Sequence, residues 1–205
     1  MGWAGALLLV SGIQFLLMVT ACEALFPGYS VHANDISDLG ATTAPTFALY
    51  EPAVLLWGLL WLVGAYLYWR SRGERASMLV SLLPGLGILL VGAFPENVSI
   101  VLHSVGSVIG IFAGVVVALL SYRWVRSPLR YLLLALGLLS LLAALIEFGS
   151  YGSALVQQTL GPGGWERAIV YPLLVWEMAY GSYLLAMAGP DFDPAAHRVA
   201  PSLNG

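Results

Sequence analysis

Long apolar segments alternate with short polar ones along this chain. Six of the apolar segments are about 20 residues long, the length that a helix needs to cross the hydrocarbon core of a bilayer. These predicted spans cover residues 3–25, 49–69, 76–94, 98–122, 131–148 and 168–188. The pattern predicts an all-α fold, a polytopic membrane bundle of six transmembrane helices that forms a single domain over residues 1–188. Residues 189–205 contain three prolines and are predicted to form an irregular tail.

Composition supports a membrane location and excludes several classes of protein. The 205 residues are 60% hydrophobic and only 9% charged, and the mean hydropathy is +0.86. Soluble domains carry about 25% charged residues, so a soluble globular domain is excluded. A net charge of −3 offers no basic surface, and we expect no nucleic-acid partner. Cys22 is the single cysteine, which excludes an intramolecular disulfide.

The distribution of arginine predicts the orientation in the membrane. The chain has eight basic residues, all Arg, and seven of them lie between spans 2 and 3, between spans 4 and 5, or in the tail. Because positive residues favour the cytoplasmic side, these segments and both termini are predicted to be cytoplasmic. We therefore expect a multi-pass protein of the cell membrane with loops 26–48, 95–97 and 149–167 on the outer side. Arg167 is the only basic residue predicted on that side.

Three glycines at four-residue spacing mark one face of the fourth span. Gly106, Gly110 and Gly114 would allow another helix to approach closely, and small residues at this spacing are typical of helix contacts in membranes. We predict that they serve helix packing.

Polar side chains inside a bilayer are costly, so each one needs a partner or a function. His103 shares a face of span 4 with the glycines, and Glu177 lies deep in span 6. Together with Asp38 of the first outer loop, they are the candidates for acid–base catalysis. The alternative for His103 and Glu177 is a purely structural role, as buried groups satisfied by neighbouring side chains.

Further polar residues converge on the same side and are predicted to contact a substrate. They are Asn34, Ser37, Glu96, Ser104 and Tyr180. The alternative for the loop residues is a folded loop that satisfies its own hydrogen bonds. The chain contains no HExxH pair and no GxSxG elbow, so we predict no metal site and identify no cofactor.

Two blocks of sequence resemble the DUF998 family of small prokaryotic integral membrane proteins. The first block is Tyr29-Ser30 followed by the segment from Asn34 to Ala41, which contains the motif Ile-Ser-Asp-Leu-Gly-Ala. The second is the glycine-rich segment from Gly85 to Glu96, which ends in Phe-Pro-Glu and is followed by His103. The resemblance implies about six spans and no settled activity. The layout is also similar to ceramidase-like membrane hydrolases, but a single histidine within a span departs from their multi-histidine zinc site.

Three functions are consistent with these features. The first is an outward-facing polar pocket that binds, or acts as an enzyme on, a lipid or another amphiphile. The second is a structural or accessory subunit whose glycine-rich helix packs against a second copy or another membrane protein. The third is a small proton-coupled transporter, which Glu177 near mid-membrane would serve.

Overall fold

The computed structural model describes the backbone of residues 1–72 and 75–189, and the side chains of these residues except 72 and 75–80. Within these ranges the fold is all-α, as predicted, and contains no strand. The α-helices are α1 Gly2–Leu25, α2 Phe47–Arg72, α3 Arg75–Ala93, α4 Ile100–Ser121, α5 Leu129–Gly149, α6 Ala154–Gln158 and α7 Gly161–Ala186, and a short 3-10 helix covers Ser37–Gly40. The predicted irregular tail lies outside the described residues beyond Gly189.

Among the described residues, five helices are long and apolar enough to cross a membrane, namely α1, α2, α4, α5 and α7. The part of α3 whose side chains are described, Ser81–Ala93, is apolar but shorter than a full span.

The six long helices form a ring. Each long helix packs on the next long helix in the sequence, and α7 also packs on α1. The connection 26–46 and the turn between α3 and α4 meet at one end of this ring, where Asn97 Nδ2 donates to Thr42 Oγ1 over 2.7 Å. We call this end the loop end.

Helices α3 and α4 approach closely at glycines. A Cβ on Gly87 would collide with the backbone of Gly110, and a Cβ on Gly106 would lie 2.9 Å from the Gly87 carbonyl oxygen. Gly114 faces Leu173 of α7, 3.4 Å from where its own Cβ would be. The glycine face of α4 is therefore covered by helices of the same chain.

Helix α7 begins seven residues before the predicted span. Gly161, the first residue of the helix, has a φ of +71°, a conformation that favours glycine. A Cβ on Gly163 would collide with the Asn34 carbonyl oxygen, so loop 26–46 packs directly on this first turn. Glu166 and Arg167, which the hydropathy pattern places in a loop, are thus helical and face the loop end.

Candidate ligand-binding cavity

A partly open cavity lies inside the ring, between α1, α2, α3, α4 and α7. Most of its wall is apolar and includes the rings of Phe15, Trp57 and Trp61. The lining side chains with polar atoms beyond these indoles are Ser37, Tyr50, His103, Ser107, Glu166 and Glu177. The cavity therefore combines an aromatic and aliphatic wall with a few polar groups, which is typical of small-molecule sites.

The 3-10 helix and its neighbours form the loop end of the cavity, which we call the cavity rim. The Ser37 hydroxyl donates to Glu96 Oε2 over 3.0 Å, which ties this helix to the turn before α4. The backbone N–H of Ile36 donates to Glu166 Oε2 of α7. These two bonds hold Ser37 and Glu166 side by side at the cavity rim.

His103 lies just inside this rim and is only 8% exposed. Its Nδ1 is 3.1 Å from the carbonyl oxygen of Phe94. Because a carbonyl oxygen only accepts, Nδ1 carries the hydrogen, and Nε2 of the neutral ring has a free lone pair. No described residue donates to this lone pair, so His103 offers the cavity a hydrogen-bond acceptor.

Glu177 lies deeper and is fully buried. Its two carboxyl oxygens accept bonds from two other helices. Ser11 of α1 donates to Oε1, and the Trp57 indole of α2 donates to Oε2 over 2.9 Å. The Trp57 ring in turn stacks on Phe15, with centroids 4.2 Å apart. Glu177 therefore joins three helices along one side of the cavity.

Arg167 anchors loop 26–46 to α7. Its Nη2 donates to Glu23 Oε1 and to the Tyr29 hydroxyl, both over 2.6 Å. Its Nη1 donates to the carbonyl oxygens of Val31, Asn34 and Gly163. The guanidinium is thus occupied by its own chain, and its charge is balanced by Glu23.

Asn34 and Asp38 form a local network in the loop. Asn34 Nδ2 donates to Asp38 Oδ2 over 2.9 Å, and the backbone N–H of Asp35 donates to the same oxygen over 3.1 Å. Neither side chain is among those that line the cavity. Their contacts are those of a loop that satisfies its own hydrogen bonds.

Asp35 and Tyr29 titrate unusually in this loop. Burial, together with the nearby negative charges of Asp38 and Glu96, raises the pKa of Asp35 to about 6. Burial also raises the pKa of the Tyr29 hydroxyl above its usual range, although Arg167 opposes this shift. Tyr29 is therefore a neutral hydrogen-bond donor, and it donates to the Asp35 carbonyl oxygen over 2.7 Å.

Three other predicted contact residues lie apart from the cavity lining. Glu96 is not part of the lining and accepts the hydrogen bond of Ser37, which is. Ser104 is exposed on the outer face of α4. Tyr180 stacks on Trp176, with centroids 5.3 Å apart, and lines a second and smaller cavity farther from the loop end.

Sequence reasoning missed Ser11, Trp57, Glu166 and Arg167 as parts of this arrangement. Trp57 does carry a signal, because it lies mid-span and not in the interfacial belt where Trp is enriched. An indole N–H at that depth requires an acceptor, and Glu177 is that acceptor. Among the described residues, no group of three or more His, Cys, Asp or Glu side chains is placed to hold a metal ion.

Long apolar helices arranged around an internal cavity define a multi-pass α-helical membrane protein. More particularly, residues 9–183 match the model of the family described as "Protein of unknown function (DUF998)". The match covers most of the chain, so the protein belongs to this family, as its two sequence blocks predict. No curated protein and no solved structure matches the chain at a significant level.

Proposed function

We propose that this protein crosses the membrane six times and binds an amphiphile, such as a lipid, in a cavity that faces the outer side. Support for α3 as a sixth span comes from the loops it connects. Thr42 precedes α2, and Asn97 follows α3, yet the two residues exchange hydrogen bonds of 2.7 and 3.1 Å. Helices α2 and α3 together therefore return the chain to the end at which it started.

Charge supports the orientation. Arg123 and Arg126 lie between α4 and α5, and Arg130 lies in the first turn of α5, at the end opposite the loop end. The positive-inside rule makes that end cytoplasmic and the loop end external. Arg167, the exception, has its charge neutralised by Glu23.

The observation that carries the proposal is the unequal distribution of polar groups in the cavity. Ser37, His103 and Glu166 are grouped at the loop end, whereas aromatic and aliphatic side chains dominate the wall farther in. An amphiphile has the same division, because its head group is polar and its chain is apolar. Because the chain would come from the bilayer and not from water, the apolar wall only has to replace its contacts with lipid, and the polar groups favour the head group.

The test uses a monoacylglycerol with a brominated chain, which quenches tryptophan fluorescence on contact. Trp57 and Trp61 line the cavity and serve as reporters. In nanodiscs of phosphatidylcholine, we expect quenching that saturates as the mole fraction of the probe rises. Quenching that increases without saturation, as from lipid outside the bundle, would contradict the proposal.

Two matched variants of α7 localise the probe. Val170→Phe places a larger side chain in the cavity wall and is expected to weaken saturable quenching. Val175→Phe makes the same change on the exposed side of the same helix and is expected to leave quenching unaltered. Equal effects of the two variants would place the probe outside the cavity.

A proton-coupled transporter is a second candidate, and one observation favours it. Trp61 lines both the main cavity and the second cavity, which has a volume of about 300 Å³ and lies toward the opposite end. The two cavities are therefore adjacent, with the buried Glu177 close to their boundary. In proteoliposomes with an internal pH dye, transport predicts proton flux that is lost in Glu177→Gln, and the absence of protein-dependent flux would remove this candidate.

A further inference from the structure

We infer that the cavity selects an amphiphile whose head group is a protonated amine, bound at the loop end between Ser37, His103 and Glu166. This inference rests on the proposed function and names the chemical class of its ligand. It follows from the direction of the hydrogen bonds around the cavity and from the acidic groups that line it.

The polar groups near the rim have already used their donor hydrogens. The hydroxyl of Ser37 donates to Glu96 over 3.0 Å, and the hydroxyl of Ser107 donates to the His103 carbonyl oxygen over 3.0 Å. His103 uses its Nδ1 hydrogen on Phe94. Each group therefore presents only a lone pair to a ligand.

The two indoles of the wall are also committed. Trp57 donates to Glu177 and Trp61 donates to the Ser81 carbonyl oxygen, each over 2.9 Å. Of the hydroxyl groups that line the cavity, only that of Tyr50 has no acceptor among the described residues. A ligand bound here must bring its own hydrogens, because the site consists mostly of acceptors.

The ionisable groups of the lining favour an amine over a neutral donor. They are Glu166, Glu177, His103 and Tyr50 in the described part of the cavity, and no Arg is among them. Arg167, the residue after Glu166, is occupied by Glu23, Tyr29 and backbone carbonyls. A phosphate or carboxylate head group would meet acceptors and acids, whereas an amine brings the donor hydrogens that these acceptors lack, and Glu166 is the carboxyl group with which its ammonium form would pair.

The wall is suited to the same ligand. The rings of Phe15, Tyr50 and Trp57 line the cavity together, and Phe15 lies 5.9 Å from Tyr50 and 4.2 Å from Trp57 between centroids. Aromatic faces attract ammonium groups and also pack well against alkyl chains. An alkyl ammonium ion thus finds a complement for each of its two parts.

The test compares head groups on one chain length and uses the unmodified protein. Dodecylamine, dodecanol and dodecanoate compete with the brominated monoacylglycerol in nanodiscs of neutral phosphatidylcholine at pH 7, and their concentrations are expressed as mole fractions in the bilayer. We expect dodecylamine to displace the probe at a mole fraction about tenfold lower than dodecanol requires, the effect of roughly one hydrogen bond involving a charged group. Dodecanoate should be the weakest competitor.

Variants then locate the head group. Glu166→Gln keeps an acceptor for the Ile36 N–H but removes the acid that can pair with an ammonium group, and it should bring dodecylamine close to dodecanol. Ser104→Ala, on the exposed side of α4, should leave the preference unchanged.

The outcomes separate the two proposals. Equal displacement by the three compounds, or strongest displacement by dodecanoate, would overturn the amine preference while amphiphile binding stands. A probe that never quenches saturably would overturn amphiphile binding and the preference with it. Tenfold selectivity for the amine that is lost in Glu166→Gln and kept in Ser104→Ala would support both.

Discussion

The buried side chains of Glu177 and Arg167 are each held by partners that are distant in the sequence. Glu177 is bonded to Ser11 and Trp57, which precede it by 166 and 120 residues. Arg167 is bonded to Glu23, 144 residues away. Polar groups at this depth are costly without such partners, so these bonds fix how α1, α2 and α7 meet.

Removing one of these partners should cost measurable stability. Trp57→Phe preserves an aromatic ring against Phe15 but leaves Glu177 Oε2 without its indole donor. Interhelical hydrogen bonds in membranes are worth about 0.5–2 kcal/mol, and we expect the free energy of unfolding to fall by that amount. Unfolding by SDS in mixed micelles, followed by circular dichroism, measures the change.

Trp3→Phe is the matched control, because Trp3 is 80% exposed. If both variants unfold at the same SDS fraction as the unmodified protein, the bond between Trp57 and Glu177 contributes nothing to stability.

Asp35 should make loop 26–46 sensitive to pH. Its pKa is raised to about 6 by burial and by the charges of Asp38 and Glu96, against an ordinary value of about 3.9. The folded loop therefore binds this proton more tightly than the unfolded chain does. The loop should become more stable as the pH falls from 7 toward 4, and it should lose that stability as the pH rises through 6.

Hydrogen exchange of the loop amides, corrected for the intrinsic effect of pH on exchange, measures this stability. We expect slower exchange at pH 5 than at pH 7 in the unmodified protein and no such difference in Asp35→Asn. A difference that persists in Asp35→Asn would assign the effect to another group.

Sequence reasoning located single residues better than it located their partners. His103 and Glu177 were predicted to face the bundle interior, and both line the cavity, whereas their proposed roles stay predictions. Local spacing along a helix defines which face a residue occupies, so this part was accessible. The pairing of Glu177 with Ser11 depends on how two remote helices pack, and no local pattern contains that information.

At the scale of elements, apolar length predicted the long helices and misplaced one end. Helix α7 begins at Gly161 because loop 26–46 covers its first turns and satisfies their polar groups. Hydropathy counts Glu166 and Arg167 against a span. In the folded chain these side chains are paired with Ile36 and Glu23, so the helix continues through them.

The contact between α3 and α4 yields a prediction with an internal control. Gly87→Ala would place a Cβ against the Gly110 backbone, which cannot move aside, and overpacking of this kind costs about 1–3 kcal/mol. Gly110→Ala would place its Cβ 3.6 Å from the Ile88 nitrogen, an ordinary contact. Because alanine also favours the helix, Gly110→Ala should leave stability unchanged or slightly raised.

The same SDS titration measures both variants. Equal destabilisation by the two would show that the helices are not as close at Gly87 as the structure has them.

For the whole molecule, the ring of helices separates two chemically different ends. The loop end carries the acidic loops and the cavity rim, and the opposite end carries the arginines between α4 and α5. An aromatic cluster lies toward that opposite end, where Tyr68 and Trp124 both contact Tyr180. The side of the membrane that the cavity faces therefore depends on which of these two ends is cytoplasmic, and six spans require that α3 crosses the membrane.

Single cysteines test this directly, because the buried Cys22 can be replaced to give a background without cysteine. In the Cys22→Ala background, Thr43→Cys and Val98→Cys each place one cysteine at an exposed position, before α2 and after α3 respectively. Ser127→Cys places one at an exposed position between α4 and α5. Six spans predict that an impermeant maleimide labels positions 43 and 98 on intact cells, and position 127 only after permeabilisation. If α3 did not cross, positions 43 and 98 would be on opposite sides of the membrane, and position 127 would be on the same side as position 43. Labelling of position 127 alone on intact cells would instead indicate six spans in the opposite orientation, with the cavity rim facing the cytoplasm.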